Sequence, residues 1–408
     1  MSHEPEPTLS SPSPPPPSPQ RHDFPTHGRG STTSPPRQPP EPTTSNTPRP
    51  TLPPSKYQYF LTVMAATPSL SASGLHRRRY PFSWTPIVGC KDPKCRWISP
   101  NVQCDGCRKN TTGCKKSCPL FRANYGSGST TALLISETLI FPEKSVENFI
   151  VGCSIFASTE PSGIAGFGRA PDSLPAQMGL KRFSYCLVSH EFDDEPVHSN
   201  LVLETASGAG ASTEGARINY TPFSKNPTTP KHPAYKEYYY VTLQKITVGG
   251  VDVRVPFKFL VADAEGRGGT IVDSGTTLTF MENQVYELVA GELEKQVGKN
   301  YSRAAEVENL SGLGPCFKVS DENSFTVPEL AFHFKGGAKM ALPVENYFSP
   351  LVDSAMCMTI TTDRGGGGGG VGKGPAIIFG NYQQQNIYME YDLENERLGF
   401  RKQVCNNK

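Results

Sequence analysis

TIVDSGTTLTF, residues 270–280, sets one carboxylate, Asp273, at the end of an apolar run and directly before a Ser-Gly-Thr-Thr turn. Ile271 and Val272 predict a buried strand, where an unpaired charge is costly. Gly275 lets the chain turn tightly and bring backbone N–H groups onto the carboxylate, and the Ser274 and Thr276 hydroxyls add further donors. A carboxylate held in this way suits catalysis, and acid–base chemistry of that kind takes a second carboxylate facing the first. The bland alternative is a strand, a turn and a strand, with Asp273 bonding only its own backbone.

Around this stretch the chain reads as mainly β. ALLISETLIF, FIVGCSIF, FSYCLVSH, EYYYVTLQKITV and AIIFG are short runs rich in β-branched and aromatic residues, separated by Gly, Pro and Asn clusters. A helical spacing is confined to Asn283 to Lys299, with apolar residues at Val285, Leu288, Val289 and Leu293. Residues 204–236 hold the polar runs ASGAGASTEGA and SKNPTTPKHPA and predict a connection between two lobes. The start is different in kind. Residues 1–55 are dominated by Pro, Ser and Thr and predict a disordered tail, and 56–84 carry no clear period.

A length of 408 residues accommodates two domains or one large bilobal body. The net charge is +2 without blocks of like charge, which offers no electrostatic footprint for nucleic acid or an anionic membrane. No apolar run approaches the roughly 20 residues of a membrane span. Neither the basic start nor the apolar segment of a signal peptide is visible. The cysteines point to an oxidising compartment nonetheless. Of 11, Cys90, Cys95, Cys104, Cys107, Cys114 and Cys118 crowd into one segment, the pattern of a disulfide-stapled loop. Sequons at Asn110, Asn219, Asn300 and Asn309 are candidate glycosylation sites in the same sense. The odd total implies a free thiol, an intermolecular bond or a missing partner.

Competing chemistries are weaker. Gly367 to Lys373 fits G-x-x-x-x-G-K, but Gly374 stands where a phosphate loop needs Ser or Thr, so the run predicts a flexible loop. The pairs Cys104/Cys107 and Cys114/Cys118 have zinc-like spacing, and the cysteines flanking them favour disulfides instead. No G-x-S-x-G occurs, and His190, His198 and His232 lie in polar loops without an evident partner.

Ile377-Ile378-Phe379-Gly380 follows Asp273 by about a hundred residues, and Gly163-Ile164-Ala165-Gly166 looks like a second copy of that element. A strand ending in Asp-Ser-Gly and followed by apolar-apolar-Gly resembles the half-signature of the pepsin-like aspartic proteases. YGSGST, GIAGFGR, VPELAFHFKGGA and FGNYQQQNIYMEYDLENERLGF are similar to segments of the plant, nepenthesin-like branch, over roughly residues 85–405. The resemblance implies a bilobal β fold, with 85–203 as an N-terminal lobe bearing the Cys-rich insert and a flap, and 237–408 as a C-terminal lobe. It implies hydrolysis of peptide bonds in proteins at acid pH by a monomer that needs no metal and no cofactor. The implied place of work is the secretory pathway, in the cell wall or other extracellular space or in the vacuole. Residue by residue, Asp273 matches the second-lobe aspartate, Thr276 the group bonding its outer oxygen, and Ser274 a group bonding backbone across the cleft. Gly275 completes the turn, Tyr125 and Gly126 match the flap, and Cys316 and Cys357 match a second-lobe disulfide.

In this family two aspartates share one proton and activate a water molecule. The first-lobe Asp-Thr/Ser-Gly belongs ahead of the flap, where Asp23, Asp92 and Asp105 stand in the contexts HDFP, KDPK and CDGC. The expectation is therefore a first lobe truncated at its start and weak or absent hydrolysis by this chain. The favoured reading is an aspartic endopeptidase of the secretory pathway whose given start is an incorrect gene model or an alternative start; the alternatives are a non-catalytic binding or inhibitor protein on the same fold and a truncated product without function.

Overall fold

The computed structural model describes residues 61–62, 86–98, 102, 104, 116–125, 128–140, 145–158, 164–189, 200–206, 217–320, 324–352, 354–362 and 374–405. The tail 1–55, most of 56–84, Asn110, Cys107, Cys114, Gly126, His190, His198 and the Gly367 to Lys373 run lie outside the described residues.

The molecule is mainly β. Thr270–Val272 is the inner strand of a five-stranded sheet, between Ile377–Phe379, which it joins in parallel, and Tyr240–Val241, which it joins antiparallel. All residues of Thr270–Val272 are buried, as expected of a strand covered on both faces. Phe280–Met281 returns antiparallel on the far side of Ile377–Phe379, so the segment between Val272 and Phe280 forms a wide turn at one end of the sheet. Gly380 lies against this turn so closely that a Cβ there would meet the Leu278 and Thr277 backbone at 2.6 Å. Only glycine fits that approach.

A second five-stranded sheet, in the order Leu201–Glu204, Arg182–Cys186, Ile387–Asp392, Arg397–Lys402 and Asn219–Pro222, joins segments far apart in the chain. Asn219–Pro222 belongs to the polar stretch 204–236: its strand hydrogen-bonds to Arg397–Lys402, a pairing that no local pattern announces. Two further strands, Phe121–Asn124 and Ser129–Ile140, form a hairpin that Ser145–Ser158 extends.

The predicted helix spans Asn283–Val297. Its buried stripe is Val285, Val289, Ala290, Leu293 and Val297, whereas Leu288 faces outward. A further helix, Ala305–Ser311, has no counterpart in the sequence expectations, because about two turns with a single buried apolar residue, Val307, carry no readable period.

The core is rich in rings. Tyr391 stacks on Phe183 at 4.4 Å and meets Tyr239 edge-on at 4.8 Å, while Phe167 meets Phe183 edge-on at 5.1 Å. Disulfides join Cys90 to Cys104, Cys95 to Cys118, Cys186 to Cys405 and Cys316 to Cys357. Cys104 and Cys118 are thus tied to flanking cysteines, and no group of described residues could hold a metal ion. Cys153 is the free thiol among the described residues. None of the described helices is long and apolar enough to cross a membrane.

Candidate active site

Asp273 is 1% exposed and sits where the strand Thr270–Val272 breaks into its turn. The strand is held on both sides: Val272 N–H donates to Tyr239 O (3.1 Å), and Asp273 N–H donates to Phe379 O (3.0 Å). The turn then folds back on the carboxylate. Gly275 N–H donates to Oδ1 at 2.9 Å and the Thr276 hydroxyl donates to Oδ2 at 2.6 Å. One oxygen is therefore bonded by backbone and the other by a side chain, a fixed orientation for a buried acid.

Burial pushes the Asp273 carboxyl up, and the Thr276 and Gly275 bonds offset only part of it, so its pKa is raised above the ordinary carboxylate range. No second carboxylate of the described residues is among the groups that shift it. The neighbouring ionisable groups are tyrosines: the Asp273 charge adds to the burial that raises Tyr185, Tyr238 and Tyr391.

Ser274 is fully buried, and its side chain hydrogen-bonds the Tyr185 hydroxyl, while its carbonyl accepts from Asn381 Nδ2 at 3.0 Å. Tyr185 reaches the Ser274 side chain from the strand Arg182–Cys186. Tyr185 also donates to Gln384 Oε1 at 2.6 Å. Behind the turn, Thr279 and Gln383 lock the two halves together: Gly380 N–H donates to Thr279 Oγ1 (3.0 Å), and Thr279 N–H donates to Gln383 Oε1 (2.7 Å).

Tyr125 stands at the tip of the hairpin, where its N–H donates to Gly128 O at 2.8 Å. Asn219, Asn300 and Asn309 are exposed. His232 stacks on Tyr235 at 4.8 Å and has no part in the Asp273 cluster. Sequence reasoning passed over Tyr185, Tyr238 and Asn381, whose signal is polar tips within apolar runs. It also passed over Asp172. This carboxyl is 4% exposed, burial raises it to about 7, and the neighbouring Glu237 adds to the rise while Lys236 opposes it.

An Asp-Ser-Gly turn bonded to an apolar-apolar-Gly strand inside a mainly β molecule defines a pepsin-like aspartic protease half-site. The family models described as xylanase inhibitor N-terminal and xylanase inhibitor C-terminal match residues 71–203 and 238–402. A probable aspartyl protease of Arabidopsis thaliana is 36% identical over 322 residues, 71% of this chain and 62% of that protein. Aspartic proteinase nepenthesin-2 of Nepenthes gracilis is 30% identical over 85% of this chain and 78% of its own length. The chain thus spans under two thirds of the first relative and over three quarters of the second. The crystal structure of basic 7S globulin from soybean has a similar fold, with a TM-score of 0.59 at 17% identity, over 80% of this chain and 84% of that one. The chain belongs to the plant branch of the pepsin-like aspartic protease family.

Proposed function

We propose that the protein receives a protein or peptide chain at Asp273 under acid conditions, in the manner of an aspartic endopeptidase of the secretory pathway, with the hairpin tip at Tyr125 closing over it. The observation that carries this reading is the clamped, buried Asp273. Burial favours the protonated form of Asp273, which suits it to donate to the oxygen of a scissile carbonyl. Withdrawing a proton from the attacking water takes a second carboxylate. The triplet Asp-Ser/Thr-Gly occurs once in the sequence, at 273–275. Hydrolysis by the chain of this sequence is therefore weak or absent, while the cleft retains peptide affinity. Disulfides support the secretory placement.

A second reading has its own support. Two matching family models are described as halves of a xylanase inhibitor, and a cleft with one acid fits a binding protein. Incubation of the purified chain with unfolded protein substrates in acid, beside Asp273→Asn, separates the two. Cleavage that Asp273→Asn abolishes makes the protein an active endopeptidase and overturns the expectation of weak or absent hydrolysis. Capture of a folded protein partner that survives Asp273→Asn, with no cleavage, establishes the binding protein.

A further inference from the structure

Asp273 and Ser274 are held from behind by one circuit of hydrogen bonds that begins and ends on them. Phe379 O accepts two N–H groups, that of Asp273 at 3.0 Å and Nε2 of Gln384 at 2.9 Å. The other end of the Gln384 amide, Oε1, accepts the Tyr185 hydroxyl at 2.6 Å, and Tyr185 is bonded in turn by the Ser274 side chain. Ser274 follows Asp273 directly, so the circuit closes. Asp273, Ser274, Phe379 and Gln384 are at most 1% exposed and Tyr185 is 2% exposed, which keeps water out of every link.

The circuit fits together in one sense only. A carbonyl can only accept, so Nε2 of the Gln384 amide faces Phe379 O and Oε1 faces Tyr185. Tyr185 has a single proton and gives it to Oε1, so the Ser274 hydroxyl donates to the phenol oxygen, as does the Tyr391 hydroxyl at 3.2 Å. Breaking any link leaves a buried donor or acceptor unpaired, which makes the connection stiff. Its members come from both matched parts of the chain. Tyr185, on the strand Arg182–Cys186, lies within 71–203, while Asp273, Phe379 and Gln384 lie within 238–402. Gln384 ends the short 3₁₀ turn Tyr382–Gln384 that follows Gly380.

We infer that Tyr185 and Gln384 are positioning residues, through which the first matched part of the chain orients the acid carried by the second. The inference rests on the cleft reading above and adds to it two residues too deeply buried to meet a bound peptide. Their effect passes through the backbone. With the Asp273 N–H and the Ser274 side chain both held, the turn cannot rotate and carry the Gly275 N–H and the Thr276 hydroxyl away from the carboxylate oxygens. Opening the circuit loosens those two bonds, which favour the ionised carboxylate, and so shifts Asp273 toward its protonated form.

Tyr185→Phe removes one hydroxyl, and Gln384→Leu removes both ends of the amide. In each full-length variant, carboxyl-carbon NMR should find the Asp273 titration midpoint about one pH unit above that of the unmodified chain. An uncleavable peptide with apolar residues at its centre should bind about 10-fold more weakly at pH about 4, the equivalent of that shift. Gln384→Glu supplies the rescue. At that pH a buried glutamic acid keeps its proton, accepts from Tyr185 and donates to Phe379 O as the amide does, so the affinity should stay at the level of the unmodified chain. A folded Tyr185→Phe protein, judged by unchanged near-ultraviolet circular dichroism, whose Asp273 midpoint does not move overturns the assignment. So does a Gln384→Glu variant that loses as much affinity as Gln384→Leu. Ser274→Ala opens the circuit at its smallest group and should move the midpoint in the same direction; should the larger replacements fail to fold, that midpoint decides alone. An unmodified chain that binds no peptide overturns the cleft reading, and the titration then judges the circuit by itself.

Discussion

Thr276 and Gly275 each satisfy one oxygen of a carboxylate that water does not reach. Thr276→Val keeps the shape and removes the donor, leaving a buried acceptor half satisfied at a cost of about 1–3 kcal/mol. The donor favours the ionised form, so its loss moves the Asp273 pKa further up. Urea unfolding checks the first outcome and a carboxyl-carbon NMR titration the second. Asp172 gives a different outcome, because no hydrogen bond from another residue offsets its burial in the way Thr276 does for Asp273. Its folded pKa of about 7 lies above the unfolded value of about 3.9. The stability it contributes is complete below pH about 4, where both states hold the proton, and is lost as pH rises toward 7. The urea midpoint should fall over that window, and Asp172→Asn should flatten the fall. Asp273 was legible because a lone acid after Ile-Val stands out against its strand. Asp172 was not, since Pro-Asp-Ser reads as a surface turn and only the folded chain buries it.

At the scale of elements, the strands carrying Asp273 and Gly380 were legible from β-branched and aromatic runs bounded by glycine, and the long helix from its spacing. What escaped were pairings between distant segments. Nothing in Asn219-Tyr-Thr-Pro announces Arg397–Lys402 as its neighbour, and nothing in the Leu61–Thr62 segment announces Ala165–Gly166. Long-range register is decided by which faces can be buried together, a property of the whole assembly and not of either strand. The Cys186–Cys405 disulfide fastens one such distant pair, since Cys186 ends the strand Arg182–Cys186 and Cys405 follows Arg397–Lys402. Replacing both by Ser should cost roughly 2–5 kcal/mol, the range for removing a native bond that closes a long loop. Equilibrium unfolding of the double variant beside the oxidised parent measures it.

Over the whole molecule, the sheet built around Arg182–Cys186 and Ile387–Asp392 carries a buried charge cluster. Arg182 reaches Glu204 at 3.0 Å, Glu390 at 3.5 Å and Asp392 at 3.8 Å, and Tyr220 donates to Glu390 at 2.7 Å. Removing Arg182 takes the cation from the buried Glu390, while Asp392 keeps Arg397 at 2.8 Å, so Arg182→Met should destabilise by about 3 kcal/mol or more. Arg182→Met combined with Glu390→Gln should recover part of that loss, and a double-mutant cycle in urea quantifies the coupling.

The central place of Ile387–Asp392 in that sheet also sets a timetable for synthesis. Arg182–Cys186 leaves the ribosome some two hundred residues ahead of its partner, and at about 5–20 residues per second it waits ten seconds or longer. Throughout that interval it presents an open edge to other nascent chains. A polypeptide halted before residue 387 is thus a hazard to its neighbours, and crowded translation should demand a chaperone for this protein long before its final strands exist.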